Sequence, residues 1–282
     1  MSRDARWSAL LDLLAEHGRL DVDDAAAALG VSAATIRRDL DQLAEQRMLT
    51  RTRGGAVANG VSYELPLRYK TARHASRKQR IGQAVADLVA VGDVVGLTGG
   101  TTTTEVARAL ALRADMSPDF TASSTASRTG SSAATGTGGV DRSPAQTVVT
   151  NALNIASELV IRPQIKLVVT GGVARPQSYE LTGPLARAVL HEITLDIAVL
   201  GVGAIDPAHG AYTHDEDEAG INRLLAEQAT RVVVAADSSK VGRRAFARVC
   251  AIAAIDTLVT DRDIPSEALA RFREAGVTVT TV

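Results

Sequence analysis

Aromatic residues, cysteine and long apolar runs are scarce in this chain, and each scarcity excludes a class of protein. Phe, Trp and Tyr make up only 3% of the 282 residues while hydrophobic residues reach 45%, so the core must consist of Ala, Val, Leu and Ile. The single cysteine, Cys250, excludes an internal disulfide and a cysteine-rich metal site. No apolar run is as long as a membrane span, and Asp4, Asp12 and Glu16 interrupt the first apolar helix. We therefore expect a cytoplasmic protein without a signal sequence or a membrane partner.

The formal net charge of −1 conceals an uneven distribution along the chain. Residues 1–80 hold 14 basic residues against 10 acidic ones, so the remainder carries a net charge of −5. The most basic stretch is 51–80, which has 8 Lys and Arg against Glu64 alone. Such a segment can follow the phosphate backbone of a nucleic acid, which gives affinity without sequence choice. An exposed linker without a partner would carry the same charges, so this alternative stays open.

A short amphipathic helix after Ser32 is the most informative local pattern. Ser32 is a favourable N-cap, and the apolar residues then recur at helical spacing. They are Ile36, Leu40 and Leu43, and the opposite face with its flanks carries Ala34, Thr35, Arg37, Arg38 and Asp41. A helix with small residues and arginines on one face can enter the major groove of DNA, where arginine donates two hydrogen bonds to a guanine edge. Arginine is also ordinary on any exposed helix, so this helix alone decides nothing.

The sequence on both sides of this helix favours a DNA-binding module. Apolar spacing predicts one helix over about residues 5–17 and a second, short helix between residues 21 and 29, followed by a tight turn at Gly30. Two short helices joined by a glycine-containing turn are typical of a helix-turn-helix. Downstream, residues 49–57 alternate and then break at Gly54, which predicts a β-hairpin or wing. We expect Arg51 and Arg53 to lie on one face of that wing.

These residues resemble the N-terminal winged helix of DeoR-family bacterial transcriptional regulators. The resemblance runs through Ser32, Thr35-Ile36-Arg37-Arg38-Asp39-Leu40 and Leu43, and it closes with Arg53-Gly54-Gly55-Ala56. The expected partner is a double-stranded DNA operator. In the predicted interface Thr35, Arg37 and Arg38 contact bases, Ser32, Arg51 and Arg53 hold phosphates, and Ala34 and Gly54 complete the surface.

The rest of the chain predicts a linker and a second domain. We place a winged helix-turn-helix domain at residues 1–57 and a linker at 58–74, because Leu65-Pro66-Leu67 interrupts regular structure. Residues 75–282 then form the second domain. Within it, residues 114–146 are dominated by Ser, Thr, Ala and Gly without periodicity, which predicts a disordered insertion.

The second domain alternates between strand-like and helix-like segments. Strands are predicted at 94–97, 147–150, 166–170, 197–201, 231–236, 249–253, 257–260 and 277–280, with helices between them that include one over 216–230. Short apolar strands alternating with helices are typical of an α/β domain with a mainly parallel sheet covered by helices on both faces.

Polar or glycine-rich segments follow five of these strands. They are residues 98–104, Thr150-Asn151, Gly171-Gly172, Gly201-Val202-Gly203 and Asp237-Ser238-Ser239-Lys240. Ligands bind beyond the carboxyl ends of parallel strands, so we expect one shared cleft. The glycines and hydroxyls of residues 98–104 suit a phosphate, Lys240 suits a second anion contact and Asp237 suits sugar hydroxyls. Each segment would also fit an ordinary turn, and Lys240 would fit an exposed position.

These segments also resemble the C-terminal sensor domain of DeoR-family regulators. The resemblance includes Gly183-Pro184 and Thr260-Asp261, and it implies a fold akin to ribose-5-phosphate isomerase, with a phosphorylated sugar as effector and no cofactor. The implied effector site comprises Gly99, Gly100, Thr101, Thr102, Thr103, Asn151, Gly172, Gly203, Asp237 and Lys240. Thr98 departs from the family pattern, because many members carry an acidic residue there.

The predicted function is that of a homo-oligomeric repressor of carbohydrate-metabolism genes under sugar-phosphate control. The alternative is a sugar-phosphate isomerase-like enzyme with an appended DNA-binding domain, which requires a carboxylate base. Acidic residues at 206 and 215–218, near His209 and His214, are candidates, but no pattern places one at a catalytic position. We therefore predict no catalytic residue and no metal site. A constitutive architectural DNA binder, the third class, would show no effect of a ligand on DNA affinity.

Overall fold

The chain divides into two compact units. The computed structural model describes residues 3–46, 48–57, 67, 74–115 and 145–282. The first unit is Met1–Arg73 and the second is His74–Val282. The linker predicted at 58–74 and the insertion predicted at 114–146 lie almost entirely outside the described residues, and both stay predictions. Within the described ranges, no helix combines the length and the apolarity needed to cross a membrane.

The first unit has the helices and the hairpin that the sequence predicts. Its elements are α1 (Arg3–His17), β1 (Arg19–Asp21), α2 (Val22–Leu29), α3 (Ala33–Glu45), β2 (Thr50–Thr52) and β3 (Gly55–Val57). Gly30 ends α2 in the left-handed conformation with φ 63°, and the Ser32 side chain caps α3 by accepting from the Thr35 amide. The hairpin gains a third strand that the sequence analysis did not predict, because β1 pairs antiparallel with β3.

The second unit is built around a parallel sheet. Its helices are α4 (Ala75–Asp87), α5 (Thr101–Asp115), α6 (Leu153–Leu159), α7 (Pro184–His191), α8 (Glu216–Glu227) and α9 (Ser266–Glu274). Its strands are β4 (Val94–Leu97), β5 (Gln146–Thr150), β6 (Ile165–Val169), β7 (Val173–Ala174), β8 (Leu181–Thr182), β9 (Leu195–Gly201), β10 (Ala204–Asp206), β11 (Gly210–Thr213), β12 (Ala229–Ala235), β13 (Ala247–Cys250), β14 (Thr257–Thr260) and β15 (Thr278–Thr281).

Seven strands form the main sheet in the order β15-β14-β12-β9-β4-β5-β6, and every pair within it is parallel. Side chains alternate between its two faces. On β9, Ile197 and Val199 pack in the same buried cluster as residues of α4 and α5, while Ala198 and Leu200 pack in the cluster that contains Phe272 of α9. Both faces are therefore apolar and covered, which confirms the predicted α/β fold.

Two predicted elements are wrong in detail. The helix predicted over 216–230 ends at Glu227, and Thr230 lies in β12, where Ala229 pairs with Leu195. The β-branched run that follows Thr230 favours a strand, which explains the earlier start. The strand predicted at 249–253 runs instead from Ala247 to Cys250 and pairs antiparallel with β11, outside the main sheet.

Candidate DNA interface and effector cleft

Helix α3 presents the face that the sequence predicts. Ile36, Leu40 and Leu43 are completely buried in the core of the first unit. Ala34, Arg37, Arg38 and Asp41 are exposed, and Thr35 is half-buried. The small and basic residues are thus accessible while the apolar stripe fixes the helix, as contact with a major groove requires.

Asp39 fixes the position of α3, a role that the family resemblance does not reveal. Its side chain is 2% exposed and accepts hydrogen bonds from the Arg6 guanidinium and from Trp7 Nε1, the latter at 2.9 Å. The hydrogen bond to Asp39 raises the pKa of Arg6 above its ordinary value, although burial works in the opposite direction. Both donors belong to α1, so this cluster holds α1 against the predicted recognition helix.

The two wing arginines differ from each other. The Arg51 Nε donates to Asp41 Oδ1 at 2.7 Å, and its Nη1 donates to the Gly55 carbonyl. Arg53 is exposed and lies with Gly54 in the turn, where Gly54 adopts φ 87°. The strand alternation on which the shared face was predicted does not extend to Arg53, because the strand ends at Thr52. Arg51 joins α3 to the wing, and Arg53 sits at the wing tip.

The five polar segments follow neighbouring strands of the main sheet and lie along its carboxyl edge. Register pairs Leu97 with Thr150, Leu97 with Val199, and Gly201 with Ala235. The segments that follow β6, β5, β4, β9 and β12 therefore occur side by side in that order. We call this row of segments the carboxyl edge.

The loop between β4 and α5 packs closely on the end of β9. A Cβ at Gly201 would lie 2.7 Å from the Gly99 carbonyl oxygen, and Gly100 adopts φ 139°. The Thr103 and Thr104 hydroxyls donate to the Gly100 carbonyl at 3.0 and 2.7 Å. Thr102 and Thr103 are buried, while Thr101 is half-buried at the first position of α5. Thr101 is thus the most accessible of the three predicted hydroxyl contacts.

Asn151 has the clearest mark of a ligand contact. Its side chain is completely buried, and within the described ranges neither Oδ1 nor Nδ2 has a hydrogen-bond partner. Its backbone is fixed, because the carbonyl accepts from the Leu181 amide at 2.7 Å. A buried amide without a hydrogen bond costs about 1 to 3 kcal/mol, so its presence favours a polar group supplied by a ligand.

Three other predicted effector residues have structural roles in the fold. A Cβ at Gly172 would lie 2.6 Å from the Thr182 carbonyl oxygen, and one at Gly203 would lie 3.1 Å from the His214 ring. Both glycines therefore permit close packing. Asp237 caps the Ser238–Lys240 turn, because its carboxylate accepts from the Ser239 amide and hydroxyl.

Asp261 holds the turn that carries Lys240. Its carboxylate accepts from the Ser238 amide at 2.7 Å and from the Ser238 hydroxyl at 2.9 Å. Arg77 of α4 places Nη1 at 3.6 Å from Asp261 and Nη2 at 2.6 Å from Asp263. Burial would raise the pKa of Asp261, but these hydrogen bonds and the Arg77 charge lower it below its ordinary value. Lys240 itself is half-buried.

The carboxylates considered for an enzyme are engaged in local contacts. Asp206 forms a hydrogen bond with His209 Nδ1 at 2.8 Å. Burial acts to raise the pKa of Asp206, but the hydrogen bonds from His209 and from the backbone lower it below its ordinary value. Asp215 caps α8, and Glu218 is buried, bonded to Arg175 at 2.7 Å and to Thr213 at 3.1 Å. Among the described residues, no three His, Cys, Asp or Glu side chains are grouped so that they could hold a metal ion.

Both units match known protein domains. Residues 6–60 match the sequence model of the DeoR-like helix-turn-helix domain, and residues 129–262 match that of the DeoR C terminal sensor domain. The chain is also similar to ribose 5-phosphate isomerase A from Methanocaldococcus jannaschii. That likeness has 17% identity and a TM-score of 0.37, over 58% of this chain and 53% of the isomerase.

Regulatory proteins are similar to the chain over nearly its whole length. A protein of Escherichia coli O157:H7 described as a candidate aga operon transcriptional repressor is 32% identical over 98% of this chain and 93% of its own. The regulator GlpR of Haloferax volcanii is 31% identical over 96% and 94%, and the glycerol-3-phosphate regulon repressor of Escherichia coli K12 is 26% identical over 94% and 93%. With both domains matched in order, the chain belongs to the DeoR family of DNA-binding transcriptional regulators.

Proposed function

We propose that this regulator represses genes of carbohydrate metabolism and that a phosphorylated sugar, bound at the carboxyl edge, controls its affinity for operator DNA. The buried Asn151 amide, which has no hydrogen-bond partner among the described residues, carries this proposal. The names of the relatives agree with it, since one of them represses a glycerol-3-phosphate regulon.

The spacing of the carboxyl edge favours an elongated ligand with an anionic end. Lys240 follows β12 and Asn151 follows β5, so three strand intervals of about 4.8 Å each separate the two strand ends. The α5 N-terminus at Thr101 lies between them and favours an anion through its free amides. A sugar phosphate offers an anionic group for Thr101 and Lys240 together with hydroxyls for Asn151. Orthophosphate is too short to reach both ends.

The DNA-binding part of the proposal requires more than one copy of the chain. A single α3 contacts one half-site, and helix-turn-helix proteins gain specificity by placing two recognition helices in successive major grooves. We therefore propose a homo-oligomer that acts in the cytoplasm on a repeated operator. The ligand controls this assembly only if it binds the DNA-bound and free arrangements with different affinity.

A two-step experiment tests this function. Footprinting of the purified chain on genomic fragments identifies the operator, and a panel of sugar phosphates is then screened by thermal shift and by operator binding. A ligand of the native state raises the melting temperature by mass action. We expect at least one sugar phosphate to raise the melting temperature and to change the affinity for the operator five-fold or more. A panel in which no sugar phosphate binds would contradict the effector assignment, and absence of any protected site would contradict the DNA assignment.

Lys240→Ala separates the effector site from the DNA interface. We expect this variant to lose the response to the sugar phosphate while its operator affinity without ligand stays within about two-fold, because Lys240 belongs to the second unit. Lys166→Ala, which removes an exposed lysine from β6, is the matched control and should respond like the wild type. A full response of Lys240→Ala to the sugar phosphate would show that other residues bind the anion.

We also propose that the chain catalyses no interconversion of sugar phosphates. Asp206, Asp215 and Glu218 already serve a turn, a helix cap and an ion pair, which supports this proposal. Incubation of the purified chain with pentose and hexose phosphates checks it. Turnover at ordinary enzyme rates, above about 1 per second, would make the chain an enzyme as well as a regulator.

A further inference from the structure

Glu180 is a buried acidic residue beside the proposed effector site. It lies just before β8 and is 3% exposed. An isolated antiparallel bridge pairs it with Ala152, the neighbour of Asn151, and its carbonyl accepts from the Arg175 amide at 2.8 Å. The backbone of Glu180 is therefore fixed on both sides, next to the buried amide at the end of β5.

The Glu180 carboxylate lies over the backbone of Gly99. A Cβ at Gly99 would come within 2.8 Å of Glu180 Cδ and closer still to Oε1. Gly99 does not have the positive φ that favours glycine, so the contact itself accounts for the glycine at this position. The side chain thus reaches from β8 to the start of the loop that leads into α5.

Positive and negative side chains occur on different sides of β9 along the carboxyl edge. Lys240 follows β12. The Glu180 backbone is beside the segment that follows β5 and its carboxylate lies over Gly99 after β4, so the end of β9 lies between the two charged groups. The side chains of Asn151 and Glu180 are both buried, and the bridge between Ala152 and Glu180 makes their backbones neighbours. A carboxylate accepts from hydroxyls and an amide group both donates and accepts, so this end suits neighbouring hydroxyls rather than an anion.

We infer that Glu180 is a specificity-determining residue, which accepts hydrogen bonds from the hydroxyls of the sugar phosphate and turns its phosphate toward Lys240. This inference rests on the proposed function and extends it by naming a residue that favours hydroxyl-bearing phosphate esters over orthophosphate. It also gives a criterion for selection. A hydroxyl-bearing phosphate ester gains a charge-assisted hydrogen bond from this carboxylate. Free orthophosphate gains no such bond, and the negative charge of the carboxylate opposes its binding because salt screens buried charges only weakly.

The test compares two kinds of anion on the full-length chain. Isothermal titration calorimetry measures the dissociation constants of orthophosphate and of three hydroxylated esters, ribose 5-phosphate, glucose 6-phosphate and glycerol 3-phosphate. Glu180→Gln preserves shape while removing the charge. We expect it to weaken the tightest ester about ten-fold or more, the loss usual for a hydrogen bond to a charged group. Orthophosphate should bind equally well or more tightly. Glu267→Gln, which removes an exposed charge from α9, is the matched control and should change neither.

The outcomes separate this inference from the proposed function. Equal weakening of ester and orthophosphate, or no change in either, overturns the role of Glu180 and leaves the effector site in place. A wild-type chain that binds none of the three esters overturns the proposed function, and the inference with it. If Glu180→Gln does not fold, Glu180→Asp replaces it, because it keeps the charge and withdraws it by one methylene. We then expect the ester to weaken at least five-fold and orthophosphate to stay within two-fold.

Discussion

Substitution of a single side chain on α3 can distinguish base-specific DNA binding from nonspecific electrostatic attraction. Arg38 is exposed on the face opposite Ile36, where a guanidinium can contact a base edge. We expect Arg38→Ala to weaken specific operator binding by about 1 to 3 kcal/mol and to relax the choice of base at one position. Fluorescence anisotropy with operator and scrambled DNA measures both effects. Arg271→Ala removes an exposed arginine from α9 of the second unit and serves as the control. An unchanged footprint in Arg38→Ala would exclude it from the interface.

Two aspartates on α3 form ion pairs with arginine, but only one of them is buried. Asp39 is 2% exposed and accepts from Arg6 and Trp7, so Asp39→Asn leaves a guanidinium poorly paired. We expect it to lower the free energy of unfolding of the first unit by about 2 to 3 kcal/mol, less than for a fully buried pair because Arg6 is partly exposed. Urea titration followed by the fluorescence of Trp7, the single tryptophan of the chain, measures it.

Asp41→Asn is the matched control for this prediction. Its carboxylate pairs with Arg51 at 2.7 Å but is 61% exposed, so water screens the pair. We expect a loss below about 1 kcal/mol, as for other exposed pairs. Equal losses in the two variants would mean that burial does not decide the strength of these ion pairs.

Helical spacing in the sequence predicted the exposed face of α3, but it could not predict which residues Asp39 contacts. The spacing of Ile36, Leu40 and Leu43 fixes which side of a helix is buried, and that information is local. The partners of Asp39 lie 32 and 33 residues earlier in the chain. Glu180 was missed for the same reason, since its contact with Gly99 depends on how two distant loops meet.

At the scale of elements, strands were predictable where they lie inside the main sheet and are largely buried. Strands such as β4 and β14 were predicted with their observed bounds, because short apolar runs rich in β-branched residues are strong local signals. The two-residue strands β7 and β8 and the antiparallel sheet of β10, β11 and β13 were not predicted. Their pairing is set by neighbours rather than by their own composition.

The turn that carries Lys240 depends on a charged Asp261. Hydrogen bonds and Arg77 lower its pKa in the folded chain, so Asp261 contributes stability at pH values above its unfolded pKa of about 3.9 and loses it as pH falls through the folded pKa. We expect Asp261→Asn to destabilise the second unit by about 2 kcal/mol at pH 7. The difference in the free energy of unfolding between the variant and the wild type should become smaller below about pH 4. Urea titration followed by circular dichroism at several pH values measures it.

Asp263→Asn is the control for the pH prediction. Asp263 also pairs with Arg77, but its side chain is 63% exposed. Its replacement should cost less than about 1 kcal/mol at every pH. A constant difference between Asp261→Asn and the wild type from pH 7 to pH 3 would show that the charge of Asp261 does not stabilise the turn.

At the scale of the whole molecule, the structure offers a route from the carboxyl edge to the part of the second unit that is nearest in sequence to the first. Arg77 makes that connection inside the second unit. It lies three residues after His74, where this unit begins, and it pairs with Asp261, which bonds to the turn carrying Lys240. A ligand that moves this turn therefore acts on the first turn of α4.

We expect Arg77→Ala to bind the operator and the sugar phosphate separately with affinities within about three-fold of the wild type, but to lose most of the effect of one on the other. Coupling between two sites is typically worth about 1 to 3 kcal/mol and is reciprocal. The ligand must therefore change the operator affinity of the variant by the same reduced factor as the operator changes its ligand affinity. Operator titrations with and without ligand, and ligand titrations with and without operator, measure the two factors. Arg108→Ala breaks a comparable ion pair with Glu158 between α5 and α6 and should keep full coupling. Full coupling in Arg77→Ala would show that the signal leaves the carboxyl edge by another route.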